Sequence, residues 1–240
     1  MSRVTQAARE KQKGSAEPTR SRVVLLSDQL LTREAMKAAI SSRGVSVLDL
    51  GIPRGRQELR DLAHDVDQFG AQMGVLVQEQ FDPFVVRDAE RLIKRGPALH
   101  WMVLTSCVPG PFWAALLEAG ADGVLPLDIG VDALIAALPA LAEGEPVMDP
   151  ADRALLSRHD VEDQLVLERL AQLSPREVQV LKQLSRGRTV AQLAVLEEVS
   201  EDTVRSHVRA ILRKLKVSSQ LAAVAEWNRA LKGWPSSRSW

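Results

Sequence analysis

The residues best suited to chemistry are cations on one short stretch of helical pattern. Within SEDTVRSHVRAILRKL (200–215), Val204, Val208, Ile211, Leu212 and Leu215 recur at i, i+4 and i+7, the spacing of a single apolar helix face. The outer face of the same helix reads Arg205, Ser206, Arg209, Arg213 and Lys214. A guanidinium can grip guanine O6 and N7 with two hydrogen bonds, worth about 1–3 kcal/mol of discrimination. Lysine and threonine suit phosphate oxygens, which fix register without reading sequence. His207 lies in the same helix with nothing nearby to pair with it, so it is expected to pack or to face phosphate rather than to sense pH.

Three more helices must hold that stretch in place. In LSPREVQVL, Ser174 caps the first, Pro175 fits its first turn, and Glu177 completes a capping box. Val178, Leu181 and Leu184 form its apolar face, and Gly187 ends it. Thr189 opens the second, with Leu193, Ala194 and Leu196 expected inward. Ser200 caps the third. Ser218 or Ser219 caps a fourth, with Leu221, Val224 and Trp227 expected inward. Two short helices joined by a tight turn, the second bearing cations, form a helix-turn-helix.

The preceding residues carry a different pattern. VVLLS (23–27), VSVLDLG (45–51), GVLVQ (74–78), HWMVLTS (100–106) and DGVLP (122–126) are short apolar runs. Helical patterns over 30–42, 56–66, 84–95, 111–119 and 131–143 alternate with them. Wholly apolar strands separated by helices predict a parallel sheet covered on both faces, a five-stranded doubly wound α/β unit. Chemistry in such a sheet lies outside the carboxyl ends of the strands. That singles out Ser27, Asp28, Glu79, Thr105 and the segment after Leu125. Asp82, before Pro83, reads as a turn residue, and Asp128 is expected near the cap of the next helix. Trp101 and Trp113 are expected in the core.

Charge divides the 240 residues further. The whole chain balances 31 Lys+Arg against 31 Asp+Glu, which excludes a uniformly basic nucleic-acid coat. Yet residues 145–169 hold seven acids and three arginines, and residues 170–240 hold twelve bases and six acids. Only the C-terminal part is therefore suited to an anionic partner. The expected organisation is a basic, flexible tail (1–21), the α/β unit (22–143) and an acidic linker with a helix over 161–172 (144–172). The four-helix unit (173–231) and a frayed tail (232–240) follow. The single cysteine, Cys107, excludes an internal disulfide and a cysteine-based zinc cluster, and reads as a small apolar filler. The four histidines lack ligand spacing, so neither metal nor cofactor is expected. No apolar run approaches the ~20 residues that cross a bilayer. The N-terminus has no secretory apolar segment. A cytoplasmic protein is expected.

Residues 173–227 resemble the C-terminal domain of LuxR/NarL-type transcription factors, through LSPRE, Gly187, SEDTVRSHVRAILRKL and the apolar-rich last helix. The resemblance implies that the third helix enters the major groove of double-stranded promoter DNA and that the fourth makes a dimer contact. By position it sets Arg205, Ser206 and Arg209 against bases, and Thr203, Arg213, Lys214 and Ser218 near backbone phosphate. Val190, Gln192, Glu197 and Gln220 depart from the family pattern.

Residues 22–143 resemble a two-component receiver domain, through SDQLLTREAM, VLVQEQFDP, VLTS and EAGADGVLP. Such domains carry an acceptor aspartate, an acidic pair that helps hold Mg²⁺, a Thr/Ser and a Lys. Here Glu79 stands at the acceptor, Ser27–Asp28 at the acidic pair, Thr105 at the hydroxyl, Leu127 at the lysine and Val124 at the switch aromatic. Mg²⁺ binds weakly when carboxylates are removed, and Leu127 cannot neutralise a phosphoryl group. Glu79 then reads either as a fixed mimic of the phosphorylated state or as drift.

These residues together imply a phosphorylation-independent transcription regulator that binds DNA as a homodimer, and not an enzyme, since no nucleophile–base pair is present. Two alternatives are a regulator with a small molecule in the vacated acidic pocket, and a subunit that pairs with a related regulator. RNA polymerase is a further candidate partner.

Overall fold

The computed structural model describes residues 21–157 and 161–231. Expectations for the basic tail, for His159 and for the C-terminal tail with Trp234 and Trp240 lie outside those residues. Five strands form one parallel sheet: β1 (Arg22–Leu26), β2 (Ser46–Leu50), β3 (Met73–Gln78), β4 (His100–Thr105) and β5 (Gly123–Pro126), in the order β2-β1-β3-β4-β5. Between and after them run α1 (Leu30–Ser41), α2 (Arg56–Phe69), α3 (Pro83–Arg95), α4 (Pro111–Ala119) and α5 (Val131–Ala142). This is the doubly wound α/β architecture that apolar strands alternating with helices demand.

The register explains how distant residues meet. Leu26 lies beside Leu50 on one side and Leu76 on the other, and Gln78 beside Thr105, which neighbours Pro126. The chain thus leaves β1, β3, β4 and β5 at one edge, carrying Ser27, Glu79, Thr105 and Leu127 there together. β1, β3 and β4 are buried along almost their whole length, with Leu25, Leu76, Met102 and Leu104 in the core. Each such side chain contributes about 1.5–3 kcal/mol relative to exposure. Trp101 and Trp113 are core residues as expected. The Trp101 ring lies over Gly74, where a Cβ would come within 2.3 Å of it, so only glycine fits on β3 at that point.

The C-terminal helices are α6 (Pro150–Leu156), α7 (Val161–Leu170), α8 (Pro175–Ser185), α9 (Val190–Leu196), α10 (Glu201–Leu215) and α11 (Gln220–Leu231). The sequence pattern had not indicated α6, which is seven residues long, and it had extended α7 by two residues. The starts of α8, α9 and α10 follow local side-chain chemistry. Ser174 Oγ accepts from the Glu177 amide while Glu177 accepts from the Ser174 amide, and Thr189 and Gln192 repeat this box. Ser200 Oγ accepts from the Thr203 amide. Between Ser218 and Ser219, the cap of α11 is Ser219, whose Oγ accepts from the Ala222 amide. Gly187 follows α8 in the left-handed region (φ 82°), as a helix-ending glycine should.

Two apolar assignments are corrected: Leu196 is 50% exposed and Leu221 79%. In α1 only Ile40 is buried, with Met36 packed against the core beside it. In α9 and α11 the core is filled by Leu193, Ala194, Ala223, Trp227 and Ala230, which leaves Leu196 and Leu221 on outer faces.

The two units touch along α7 and α11. The Phe81 ring meets Trp227 edge-on at 5.5 Å. Arg229 on α11 binds Asp163 at 2.6 Å and Glu162 at 3.1 Å on α7. Its guanidinium is held protonated first by the hydrogen bond to Asp163.

Candidate nucleic-acid interface and the strand-end pocket

α9, the turn after it and α10 build the first site. The Val199 amide donates to the Ala194 carbonyl at 3.0 Å across the turn, where Glu198 takes a left-handed conformation (φ 53°). Val204, Ile211 and Leu215 pin α10 to the core, with Val208 and Leu212 packed beside them. This leaves Thr203, Arg205, Ser206, Arg209 and Arg213 exposed on the opposite side, and Ser218 exposed just beyond the helix. Arg205 is drawn back along its own helix to Glu201 at 2.7 Å and Asp202 at 3.5 Å. Ser206 Oγ donates to the Asp202 carbonyl at 2.8 Å, and Thr203 Oγ1 shares a hydrogen bond with Ser200 Oγ. Arg209 and Arg213 have no ion pair among the described residues. His207 is half-buried.

Lys214 departs from the sequence reading, which set it with the phosphate-facing cations. Its Nζ lies 2.6 Å from Glu177 Oε2, and Glu177 is buried under the helices. Burial pushes the Glu177 carboxyl up, but the bonds from Lys214 and from the Ser174 amide outweigh it and hold the group below its ordinary range. Lys214, itself partly exposed, is therefore the partner of a buried carboxylate, and its charge is committed. The sequence marks Glu177 as the acid that closes the capping box at Ser174, but not that it is the one buried acid among the described residues.

The second site lies at the strand ends. Ser27 is buried, and its Oγ accepts from the Gln29 amide. Asp28 Oδ2 binds Arg54 Nη2 at 2.7 Å, while its Oδ1 accepts from the Ile52 amide at 3.3 Å. The Glu79 carboxylate accepts the hydroxyl of Thr32 on α1. Thr105 is fully buried, and its Oγ1 accepts from the Cys107 amide at 3.1 Å. Leu127 packs against the core. Asp82 caps α3 by accepting from the Phe84 amide at 2.9 Å. Asp128 lies in a short 3₁₀ turn two residues before Gly130, the cap of α5, and so near that cap as expected. The Cys107 thiol is half-buried, and burial pushes its pKa up.

Arg54 and Thr32 were not anticipated. Both lie outside the strand ends, Arg54 on the β2–α2 loop and Thr32 on α1. Arg54 is kept protonated by Asp28 first, with Asp88 and Asp82 further off. A divalent cation does not fit here. Mg²⁺ needs several oxygen ligands, while one carboxylate, Asp28, already holds a guanidinium and the other, Glu79, already holds a hydroxyl. Among the described residues no group of three or more His, Cys, Asp and Glu side chains is arranged for a metal. No helix among them is long and apolar enough to cross a membrane.

A short helix, a turn and a second helix with cations outward make the C-terminal unit a helix-turn-helix. Residues 171–226 match the family model described as bacterial regulatory proteins, luxR family, and this unit is a member of that family. The chain is 38% identical over 108 residues to a nitrate/nitrite response regulator protein homolog of Haemophilus influenzae, covering 45% of this chain and 50% of that protein. It is 36% identical over 113 residues to the nitrate/nitrite response regulator NarP of Escherichia coli, again 45% and 50%. The chain thus spans about half the length of these curated relatives. A longer match, 26% identical, covers 84% of this chain and 94% of the transcriptional regulatory protein LnrK of Bacillus subtilis. Among solved structures, the RcsB response regulator of Salmonella typhimurium aligns over 87% of this chain and 98% of its own, with 19% identity and a TM-score of 0.44.

Proposed function

We propose that this chain is a sequence-specific transcription regulator that binds promoter DNA as a dimer, reads bases with α10, and does so without phosphorylation. The observation that carries the reading is the outer face of α10, where Arg209 and Arg213 stand exposed and without ion pairs among the described residues. The opposite face of that helix is fixed to the core by Val204, Ile211 and Leu215, as a rigid reading element requires. Arg205, Ser206 and Arg209 take the base edges, and Thr203, Arg213 and Ser218 the flanking phosphates. The names of the relatives, response regulators and transcriptional regulatory proteins, support the same class.

A dimer follows from information content, since one recognition helix reads too few base pairs to specify a genomic site. Leu221, exposed on α11, offers an apolar contact for a second copy. What supports independence from phosphorylation is the strand-end pocket, where Glu79, Ser27 and Leu127 stand at the positions that the receiver resemblance gives to the acceptor, one acid and the lysine. The test is footprinting on a promoter bound by the full chain. Two half-sites, protected equally with and without acetyl phosphate and Mg²⁺, are expected. A single unrepeated half-site, or protection that needs the phosphodonor, overturns the reading.

A further inference from the structure

The two units enclose a cleft of about 480 Å³ between the strand ends and the helix-turn-helix unit. Its floor is aromatic. Phe81 meets Phe112 edge-on at 5.9 Å and Trp227 at 5.5 Å. Its polar groups are unbalanced. Lys182 and Arg186, at the end of α8, line one side, and Glu79 is the one acid among the described residues around it. The Glu79 carboxylate already holds the Thr32 hydroxyl. Lys182 reaches only a neutral oxygen, Gln80 Oε1 at 3.3 Å, and Arg186 has no ion pair among the described residues.

We propose that this cleft is a binding site for a small aromatic anion, a ring system bearing a carboxylate or sulfonate. Ligand sites favour concave, largely apolar spaces of roughly 300–1,000 Å³ at domain boundaries, with few convergent polar groups. The ring body covers the Phe81–Phe112–Trp227 floor, and the anionic head receives charge-assisted hydrogen bonds from Lys182 and Arg186. Net charge selects the class, because around the cleft Lys182 and Arg186 face one acid that is already bonded, although Lys182 also borders the strand-end pocket with Asp28 and Asp82. The neighbouring strand-end pocket, about 250 Å³, lacks that bias: there Arg54 and Asp28 satisfy each other. The site lies beside the strand-end pocket in which the alternative reading of the sequence sets a small molecule. Because both units supply groups, an occupied cleft favours this arrangement of the two over any in which they part.

The probe is 8-anilinonaphthalene-1-sulfonate, an aromatic sulfonate, titrated into the full chain and followed by its own fluorescence and by energy transfer from tryptophan. One saturable site per chain is expected. The double variant Lys182→Ala/Arg186→Ala should weaken it at least tenfold while circular dichroism and thermal midpoint stay unchanged, and Lys182→Arg should retain it. Val108→Trp, which fills the cleft from an exposed position, should abolish it. The uncharged N-phenyl-1-naphthylamine should bind at least tenfold more weakly. No saturable site, equal binding of the neutral probe, or binding indifferent to both the double variant and Val108→Trp overturns the proposal. None of these readouts depends on DNA.

Discussion

At the strand ends Asp28 holds Arg54 and Glu79 holds Thr32, whereas along α10 Arg209 and Arg213 point outward with no ion pair among the described residues. Both sites sit on rigid supports, a buried parallel sheet in one case and a helix pinned by Val204, Ile211 and Leu215 in the other. They differ in where polar bonds end. A pocket whose groups satisfy each other has little left for an incoming metal or phosphoryl group. A face whose cations lack partners keeps its full charge for an anionic surface, and counterion release then favours association. One residue crosses between these behaviours. Lys214 belongs to the α10 row by sequence but ends on a buried carboxylate.

The largest effect should come from that crossing point. Lys214→Ala leaves Glu177 buried without its cation. Breaking such a pair should cost about 2–4 kcal/mol of stability, a little below the fully buried range because Lys214 is partly exposed. Urea denaturation of the full chain checks this, and the double variant Lys214→Met/Glu177→Gln, whose amide oxygen can still accept from the Ser174 amide, should recover most of the loss. Recovery by the double variant would show that the cost is an orphaned charge and not a lost DNA contact. The same pair sets an acid limit. The folded Glu177 pKa lies below its unfolded value, so its contribution is present above about 4.3, the ordinary glutamate value, and is lost as pH falls through the folded pKa. Wild type should lose stability through that window more steeply than Glu177→Gln.

Next come the exposed arginines. Arg209→Ala should weaken specific DNA binding by about 1–3 kcal/mol and relax base preference, with stability changed by less than about 0.5 kcal/mol. Arg205→Ala should cost less than Arg209→Ala, because binding through Arg205 must first release it from Glu201 and Asp202. Fluorescence anisotropy on matched and mismatched duplexes measures both. Equal losses would mean that the intrahelical pairs do not compete with DNA.

Much of this arrangement was readable beforehand, and most of the misreadings share a cause. Strand and helix positions followed from periodicity, and the capping box at Ser174 and the core tryptophans from residue type, because these signals are local. Most of what failed depended on a neighbour distant in sequence. Leu196 and Leu221 are the exception: they fit an inward pattern, but Leu193, Ala194, Ala223, Trp227 and Ala230 of the same two helices fill the core. Arg54 comes from the β2–α2 loop, 26 residues from Asp28, and Thr32 is 47 residues from Glu79. Nothing in the spacing of either pair marks it. Lys214 and Glu177, 37 apart, were each read correctly as to type and placed in separate roles.

The smallest effects should come from the strand-end pocket, and their smallness is the test. Arg54 is 70% exposed, so its ion pair with Asp28 contributes about 0–1 kcal/mol, and Arg54→Ala should shift stability by no more than that. Wild type should show no shift in thermal midpoint on adding millimolar Mg²⁺, since Asp28 is occupied by a guanidinium and Glu79 by a hydroxyl. Arg54→Ala frees Asp28 and should make the midpoint weakly Mg²⁺-dependent, with Asp82 and Asp88 near enough to add to the local field. Glu79 divides the two readings of its own position. If its carboxylate acts as a fixed phosphoryl mimic through Thr32, then Glu79→Ala and Thr32→Val should lower DNA affinity alike, and Glu79→Gln, whose amide oxygen can still accept from Thr32, should lower it less. If the position has drifted, all three variants should bind promoter DNA as wild type does. In either case acetyl phosphate should label none of them, because Leu127 supplies no charge to hold a phosphoryl oxygen. Stoichiometric acid-labile phosphate on Glu79 or Asp28, with tighter DNA binding, would erase the contrast between a closed pocket and an open helix face.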